Sequence, residues 1–225
     1  MPPRAERTEC LARREWSEHE PDERYDDEHA AQRPTPLLAT ADQSMPELVR
    51  LRDGSHVTVR RVCDSDEPAL RSFLVGLSEE ARYLRFFTGV PDLNSATLLA
   101  VSTDPGFYGL VAHDETGVLV GHALYIQLDP TRAEVAVEVA DQLHDRGLAT
   151  VLIERLAAAA ESCGITRFVA EVLPQNSSML AVFHDGFDAD VAFRDGTEVV
   201  EFPTSAWRTA RERFPEHGQS TRTSP

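Results

Sequence analysis

A strand, a small-residue turn and a long apolar helix follow one another directly between residues 133 and 160. Residues 133–140 form an apolar run that predicts a strand, and Leu148 to Ala160 predicts a helix. His144–Thr150, with the sequence HDRGLAT, joins them. Backbone N–H groups at such a turn point outward at the positive end of the helix dipole, which predicts a phosphate or pyrophosphate site. An ordinary capped junction is the alternative.

Length, charge and cysteine content narrow the class of protein. The 225 residues leave room for one domain of about 170 residues and a tail. The net charge of −16 disfavours nucleic acid as a partner, since phosphate binding needs a basic face. No run approaches the ~18 apolar residues of a membrane span, and no apolar signal sequence begins the chain. Three scattered cysteines predict neither a disulfide framework nor a metal site, so we expect a cytoplasmic protein.

The chain is predicted to divide at residue 46. Residues 1–46 carry 11 acidic residues and 6 arginines, with few large apolar side chains, and therefore predict an acidic, disordered tail. Residues 47–204 are predicted to form the folded domain. Residues 205–225 are predicted to form a C-terminal helix and a disordered end.

The order of the predicted elements indicates the fold class. A strand is followed by two or three helices, three antiparallel strands, the long helix, a strand, a helix and a hairpin turned at Asp195-Gly196. This order predicts an α/β fold with a mixed, mostly antiparallel central sheet of six to seven strands and helices on both faces. A dinucleotide-binding fold is disfavoured, because it needs alternating βαβ units and three glycines after its first strand.

The turn and its neighbours resemble the GNAT acyltransferase superfamily. Residues 144–149 are similar to its pyrophosphate loop, Gln/Arg-x-x-Gly-x-Gly/Ala, and residues 133–139 are similar to its fourth strand. Asn176–Leu180 and Gly186-Phe187 resemble its last helix and the Gly-Phe that follows. The resemblance covers Leu51 to about Phe202 and implies a GNAT-type sheet.

A narrower resemblance concerns the acceptor. Leu51–Gly54 and Ala81–Phe87 are similar to the catalytic domains of bacterial protein lysine acetyltransferases that act on acyl-CoA synthetases. The resemblance implies transfer of an acetyl group from acetyl-CoA to a protein lysine, without a metal, by a monomer or homodimer. A small-molecule amine acceptor and a non-catalytic module that binds acyl-CoA remain alternatives.

The resemblance also implies which residues hold acetyl-CoA. The backbone of the loop would hold the diphosphate, with Gly147 permitting close approach. Superfamily members splay the fourth strand from the next one, which leaves main-chain donors near residues 137–139 for the thioester oxygen. The implied contacts are Val137, Val139, His144, Asp145, Arg146, Gly147, Leu148, Ala149, Thr150 and Asn176. His144 replaces a Gln or Arg, and Asp145 either caps the helix or weakens coenzyme A binding.

Two acids are candidates for the catalytic base. Glu134 and Glu138 lie four residues apart on one strand, so they share one face. Glu134 matches the position at which GNAT enzymes often place the carboxylate that takes the amine proton. Glu138 is nearer the loop and is the second candidate. Either acid could instead face solvent.

The helix pair after the first strand is predicted to wall the acceptor pocket. Its candidate residues are Arg82, Tyr83, Phe86 and Phe87. Phe86 or Phe87 could instead belong to the core. Many superfamily members use a tyrosine of the last helix to reprotonate the leaving thiolate, and here Phe183 stands in that region.

Overall fold

Eight strands form one sheet in the computed structural model, which describes residues 45–88, 91–102 and 106–208. The strands are β1 (Glu47–Arg50), β2 (His56–Arg61), β3 (Phe107–Asp114), β4 (Leu119–Gln127), β5 (Arg132–Val139), β6 (Arg167–Val172), β7 (Asp190–Arg194) and β8 (Thr197–Pro203). Their order in the sheet is β1-β2-β3-β4-β5-β6-β8-β7. Every neighbouring pair is antiparallel except β5 and β6.

Five helices accompany the sheet in the described residues. They are α1 (Glu67–Gly76), α2 (Glu79–Phe86), α3 (Leu93–Ala100), α4 (Leu148–Ser162) and α5 (Ser177–Phe187). Short 3-10 turns cover Asp64–Asp66 and Asp141–Leu143. The predicted mixed α/β fold is therefore confirmed, with one strand more than expected. The additional strand is β1, whose four residues are too few for alternation to show; its backbone pairing with β2 makes it a strand.

The two faces of the sheet carry different helices. Gly121 of β4 faces α4, and a Cβ there would lie 3.1 Å from Leu148 and 3.3 Å from Leu152, so this close approach favours glycine. His122, the next residue, points to the opposite face. There its Nδ1 and the Nε of Arg85 on α2 both contact the carboxylate of Glu138. Helix α4 therefore packs on one face of the sheet, and α2 packs on the other.

Aromatic rings join the last helix to the sheet on the α4 side. Phe202 of β8 lies at the centre, with ring centroids 5.7 Å from Phe168, 5.4 Å from Phe183 and 5.1 Å from Phe187. Tyr125 of β4 extends the cluster through Phe168 at 5.8 Å. Burial of each ring stabilises the fold by about 1.5–3 kcal/mol. The cluster fixes α5 beside the end of β6.

β5 and β6 separate after a short paired segment. Their parallel pairing runs from Arg132↔Arg167 to Glu134↔Val169, and no further pair joins them in the part of the chain that the structure describes. β5 nevertheless continues to Val139. The splay that the resemblance implied is present, and it opens a V-shaped gap in the sheet.

The two predicted ends of the chain lie largely outside the described residues. Residues 1–44 and 209–225 are not described, so the predicted disorder of the tail and of the C-terminal end remains a prediction. The first residues of the predicted C-terminal helix dock on α4, because Trp207 Nε1 donates to Glu161 at 2.7 Å. Asp195 and Gly196 both have positive φ, 53° and 95°, as the predicted hairpin turn requires.

Candidate active site

A cleft of about 1080 Å³ opens where β5 and β6 separate. The diverging strand ends form its floor, and the first turns of α4 and α5 border one side. Helices α2 and α3 border the other side. Nine of the ten residues implied to hold acetyl-CoA line this cleft: Val137, Val139, His144, Asp145, Gly147, Leu148, Ala149, Thr150 and Asn176.

The turn before α4 presents its backbone to the cleft. Gly147, with φ 86°, is the N-cap residue, and no side chain caps the helix. The first bond of the helix runs from Val151 N to Gly147 O. The N–H groups of residues 148–150 therefore precede the intrahelical bonds and face the site where an anion would bind. This geometry fits a diphosphate.

For two side chains of the turn, the structure excludes one of two alternatives at Asp145 and differs from the expectation at Arg146. Asp145 does not cap the helix; it has φ 61°, is exposed and lines the cleft. Arg146 is outside the lining, because its Nη1 lies 2.6 Å from Asp53 Oδ2 and its carbonyl accepts from Arg52 N at 3.1 Å. The Leu51–Gly54 segment therefore braces the turn, and its Arg52 also lines the cleft. Hydrogen bonds from Ser55 and the charge of Arg146 lower the pKa of Asp53.

The main chain of β5 supplies donors to the cleft. Ala140 N donates to Val120 O of β4 at 2.8 Å. Because backbone groups alternate in direction along a strand, those of Val137 and Val139 point away from β4, into the gap beyond the last β5–β6 pair. His144 Nε2 lies 3.1 Å from Val139 O and closes the end of this edge. The N–H of Val137 is thus placed to bind a carbonyl oxygen.

Glu134 lies at the apex of the gap. It is the last residue of β5 that pairs with β6, it is half-buried, and it lines the cleft. Its pairing partner on β4 is Ile126, and the partner of Glu138 is His122. The register is regular between these pairs, so both acids point to one face of the sheet, as predicted. Glu171 of β6 lies two residues beyond Val169 and brings a second, exposed carboxylate to this face of the cleft.

Glu138 has a very different environment from Glu134. It is buried, Arg85 Nε donates to its Oε1, and His122 Nδ1 lies 3.0 Å from its Oε2. Burial alone would raise the pKa of Glu138, but the charges and hydrogen bonds of Arg85 and His122 lower it to about 2. Both carboxylate oxygens are occupied, so Glu138 is a poor proton acceptor near neutral pH.

The cleft wall that was predicted to hold the acceptor differs in part from the prediction. Phe86 and Phe87 line the cleft, whereas Arg82 and Tyr83 are not among the described lining residues. Arg85 takes their place, and sequence reasoning missed it because its carboxylate partner is 53 residues away. Its helical neighbours carry no signal that would have singled it out.

The start of α5 borders the inner end of the cleft. Asn176 is its N-cap residue, and its side chain accepts from Met179 N at 3.2 Å. Phe183 is buried against Phe202 and lines the cleft, so this position provides no proton donor. Within the described ranges, no three His, Cys, Asp or Glu side chains gather as a metal-binding group. None of the helices in these ranges is long and apolar enough to cross a bilayer.

Comparison with known proteins places the chain among acetyltransferases. A model of the acetyltransferase (GNAT) family matches residues 70–187. The crystal structure of the GNAT domain of S. lividans PAT shares 33% sequence identity and a TM-score of 0.63, covering 70% of this chain and 96% of that one.

Two more distant structures share the fold. The cAMP-binding acyltransferase from Mycobacterium smegmatis has 22% identity and a TM-score of 0.52; 76% of this chain is covered, and it spans 54% of that protein. Spermidine N-acetyltransferase from Vibrio cholerae, in complex with CoA and spermine, has 17% identity and a TM-score of 0.53. The match covers 68% of this chain and 98% of that chain.

Proposed function

Because this chain belongs to the GNAT acetyltransferase family, we propose that it transfers the acetyl group of acetyl-CoA to the side-chain amine of a protein lysine. One observation carries the proposal. A helix N-terminus without a side-chain cap, the outward main chain of β5 and the half-buried Glu134 all border the same cleft. These are the three groups that acyl transfer from a thioester to an amine requires: an anion site, a carbonyl donor and a base.

The residues present fit acetyl-CoA. The N–H groups of residues 148–150 would hold the diphosphate, and the gap beside β5 would take the pantetheine arm. The thioester supplies an activated acetyl group. The N–H of Val137 would bind its carbonyl oxygen and stabilise the negative charge that develops there during attack.

Glu134 would act as the base. A lysine amine is protonated at neutral pH and cannot attack until it loses a proton. Glu134, at the apex of the gap, would accept that proton directly or through a water molecule. The thiolate would leave without an acid from Phe183, since a thiol pKa of about 8.5 makes it a tolerable leaving group.

Glu138 would position the acceptor wall rather than accept a proton. Its bond to Arg85 ties α2 to β5, and α2 ends at the cleft with Phe86, followed by its C-cap residue Phe87. We therefore assign the role of base to Glu134 alone and a structural role in the site to Glu138.

The charge of the cleft supports a cationic acceptor. Glu134 and Glu171 present carboxylates on one face, and the chain as a whole carries a net charge of −16. Carboxylates near the entrance would attract an ammonium group. A protein lysine and a small polyamine both satisfy this requirement, so the acceptor has to be chosen by experiment.

Thiol release with different acceptors tests the function. All 22 basic residues of the chain are arginine, so acetyl-lysine formed in the assay cannot come from the enzyme itself. We expect release of coenzyme A with an acyl-CoA synthetase as acceptor, and acetyl-lysine on that protein. Faster release with spermidine would instead support a small-molecule acceptor. Binding of acetyl-CoA without release by any amine would identify a non-catalytic module, an alternative that Asp145 at the cleft mouth favours.

Neutralising Asp145 is expected to strengthen acetyl-CoA binding. The carboxylate lies at the cleft beside the diphosphate site, and two like charges about 4 Å apart in water repel by about 1 kcal/mol. Asp145→Asn should therefore lower the Kd by about fivefold at low salt and less at high salt, since salt screens the repulsion. Asparagine also tolerates the positive φ.

Isothermal titration of acetyl-CoA at two salt concentrations measures this effect. Asp188→Asn provides the matched control, since Asp188 also has a positive φ, 53°, is exposed and lies outside the described cleft lining. Equal gains in the two variants would contradict a local effect of Asp145.

A further inference from the structure

β7 is an edge strand whose sequence is complementary to itself. It ends the strand order and pairs with β8 alone among the described strands. All five of its residues are exposed, and Phe193 keeps 65% and Val191 43% of their surface. Edge strands present unpaired backbone groups, which makes them templates for pairing with another strand.

The two faces of β7 differ in chemistry. Val191 pairs with the buried Val200, so Val191 and Phe193 point to the face that carries the aromatic cluster. Asp190, Ala192 and Arg194 point to the other face. In the part of the chain that the structure describes, the side chains of Asp190 and Arg194 make no ion pair and no hydrogen bond; the main-chain carbonyl of Arg194 accepts from Thr197 Oγ1 at 3.1 Å.

We propose that β7 pairs antiparallel with β7 of a second copy of this chain, about a two-fold axis at Ala192. With the strand sequence Asp-Val-Ala-Phe-Arg, Asp190 then lies opposite the partner's Arg194, and the two-fold axis produces this pair two times. Val191 comes opposite the partner's Phe193 on the other face, also twice. Opposite-charge and aromatic–aliphatic cross-strand pairs both stabilise antiparallel ladders, so the pairing is favourable on both faces.

The charges argue for a copy of this chain rather than an unrelated strand. Charged residues on an edge normally prevent strand addition, because a random partner leaves them unpaired or opposes like charges. Here Asp190 and Arg194 have opposite charges and lie at equal distances from Ala192. Both charges are paired when an antiparallel partner strand carries the same arrangement of charges. A two-fold related copy has that pattern by symmetry.

The expected dimer is weak. Five residues on each side bury less surface than the about 1,200 Å² at the lower end of standard interfaces. Each chain also has a net charge of −16, so the two copies repel each other. We therefore expect a dissociation constant on the order of micromolar, which is accessible to sedimentation equilibrium.

Charge reversal tests this pairing with the full chain. Asp190→Arg places two arginines opposite each other, and Arg194→Asp places two aspartates opposite each other. Each single variant should weaken the dimer by about tenfold or more, because two attractive pairs become repulsive. The double variant D190R/R194D should restore it, and its net charge equals that of the wild type. An equimolar mixture of the two single variants should form a heterodimer, because their charges are complementary.

Several results would overturn the proposal. A wild-type chain that stays monomeric at hundreds of micromolar excludes the dimer. Single variants with the wild-type dissociation constant place the interface elsewhere. Failure of both the double variant and the mixture to dimerise would also overturn it, provided that circular dichroism shows the variants folded and acetyl-CoA still raises their Tm.

Discussion

Glutamine in place of Glu134 is expected to lower kcat by about 10²–10⁴-fold, the range for loss of a positioned general base. Glutamine keeps the size of the side chain but cannot accept the proton that the acceptor ammonium must lose before the amine attacks. The residual rate of the variant should rise steeply with pH, because at higher pH more of the acceptor amine, with a pKa near 10.4, is already deprotonated. The wild-type enzyme should show a weaker rise at high pH.

Steady-state thiol release between about pH 6 and 10 measures this loss. Acetyl-CoA binding serves as the check on folding: at a hundredfold excess over Kd it should add about 2.7 kcal/mol of stability to wild type and variant alike. Glu80→Gln is the matched control, since Glu80 is exposed on α2 and is not among the described lining residues. A Glu134→Gln enzyme with the wild-type kcat would exclude Glu134 as the base.

Alanine in place of Glu138 is expected to lower the free energy of unfolding by about 3–5 kcal/mol. The substitution leaves the guanidinium of Arg85 and the Nδ1 of His122 without their common carboxylate in a buried place. An uncompensated buried charge costs far more than the pair contributes. Urea unfolding followed by circular dichroism measures the loss, and a change below about 1 kcal/mol would contradict a buried ion pair.

The same pair predicts how stability depends on pH. The pKa of Glu138 is lowered from 4.5 to about 2 in the folded chain. A lowered pKa adds stability that is fully present above pH 4.5 and is lost as the pH falls toward 2. The difference between wild type and Glu138→Ala should therefore shrink from neutral pH to pH 2.

A double-mutant cycle separates the pair from the shape of the core. Replacing Glu138 and Arg85 together by methionine removes both charges, so the double variant should be more stable than Glu138→Met alone. A double variant whose loss is the sum of the two single losses would show that the two groups do not interact. Loss of catalytic rate in the stable double variant would indicate that the pair also positions α2 at the cleft.

Much of the fold and of the geometry of the proposed anion site could be predicted from local patterns. Apolar patterns and turn signals identified seven of the eight strands, and the missed one, β1, is too short to show a pattern. The glycine turn before α4 lies where an anion site was expected, because its φ of 86° is a local requirement that glycine meets. The role of Arg146 could not be predicted, because its partner Asp53 is 93 residues away.

The two acids of β5 show what the sequence determines and what only the tertiary structure decides. Alternation along one strand places Glu134 and Glu138 on the same face, and nothing local distinguishes them. Sheet register brings His122 opposite Glu138, helix packing adds Arg85, and the end of β6 pairing leaves Glu134 at the open apex. The face to which a strand side chain points depends on its position along that strand. Burial, charge pairing and access to the cleft depend on groups far apart in the chain. The sequence therefore determines that an acid-bearing strand leads to a glycine turn at a helix N-terminus, and the folded structure decides which acid is buried in an ion pair and which borders the cleft.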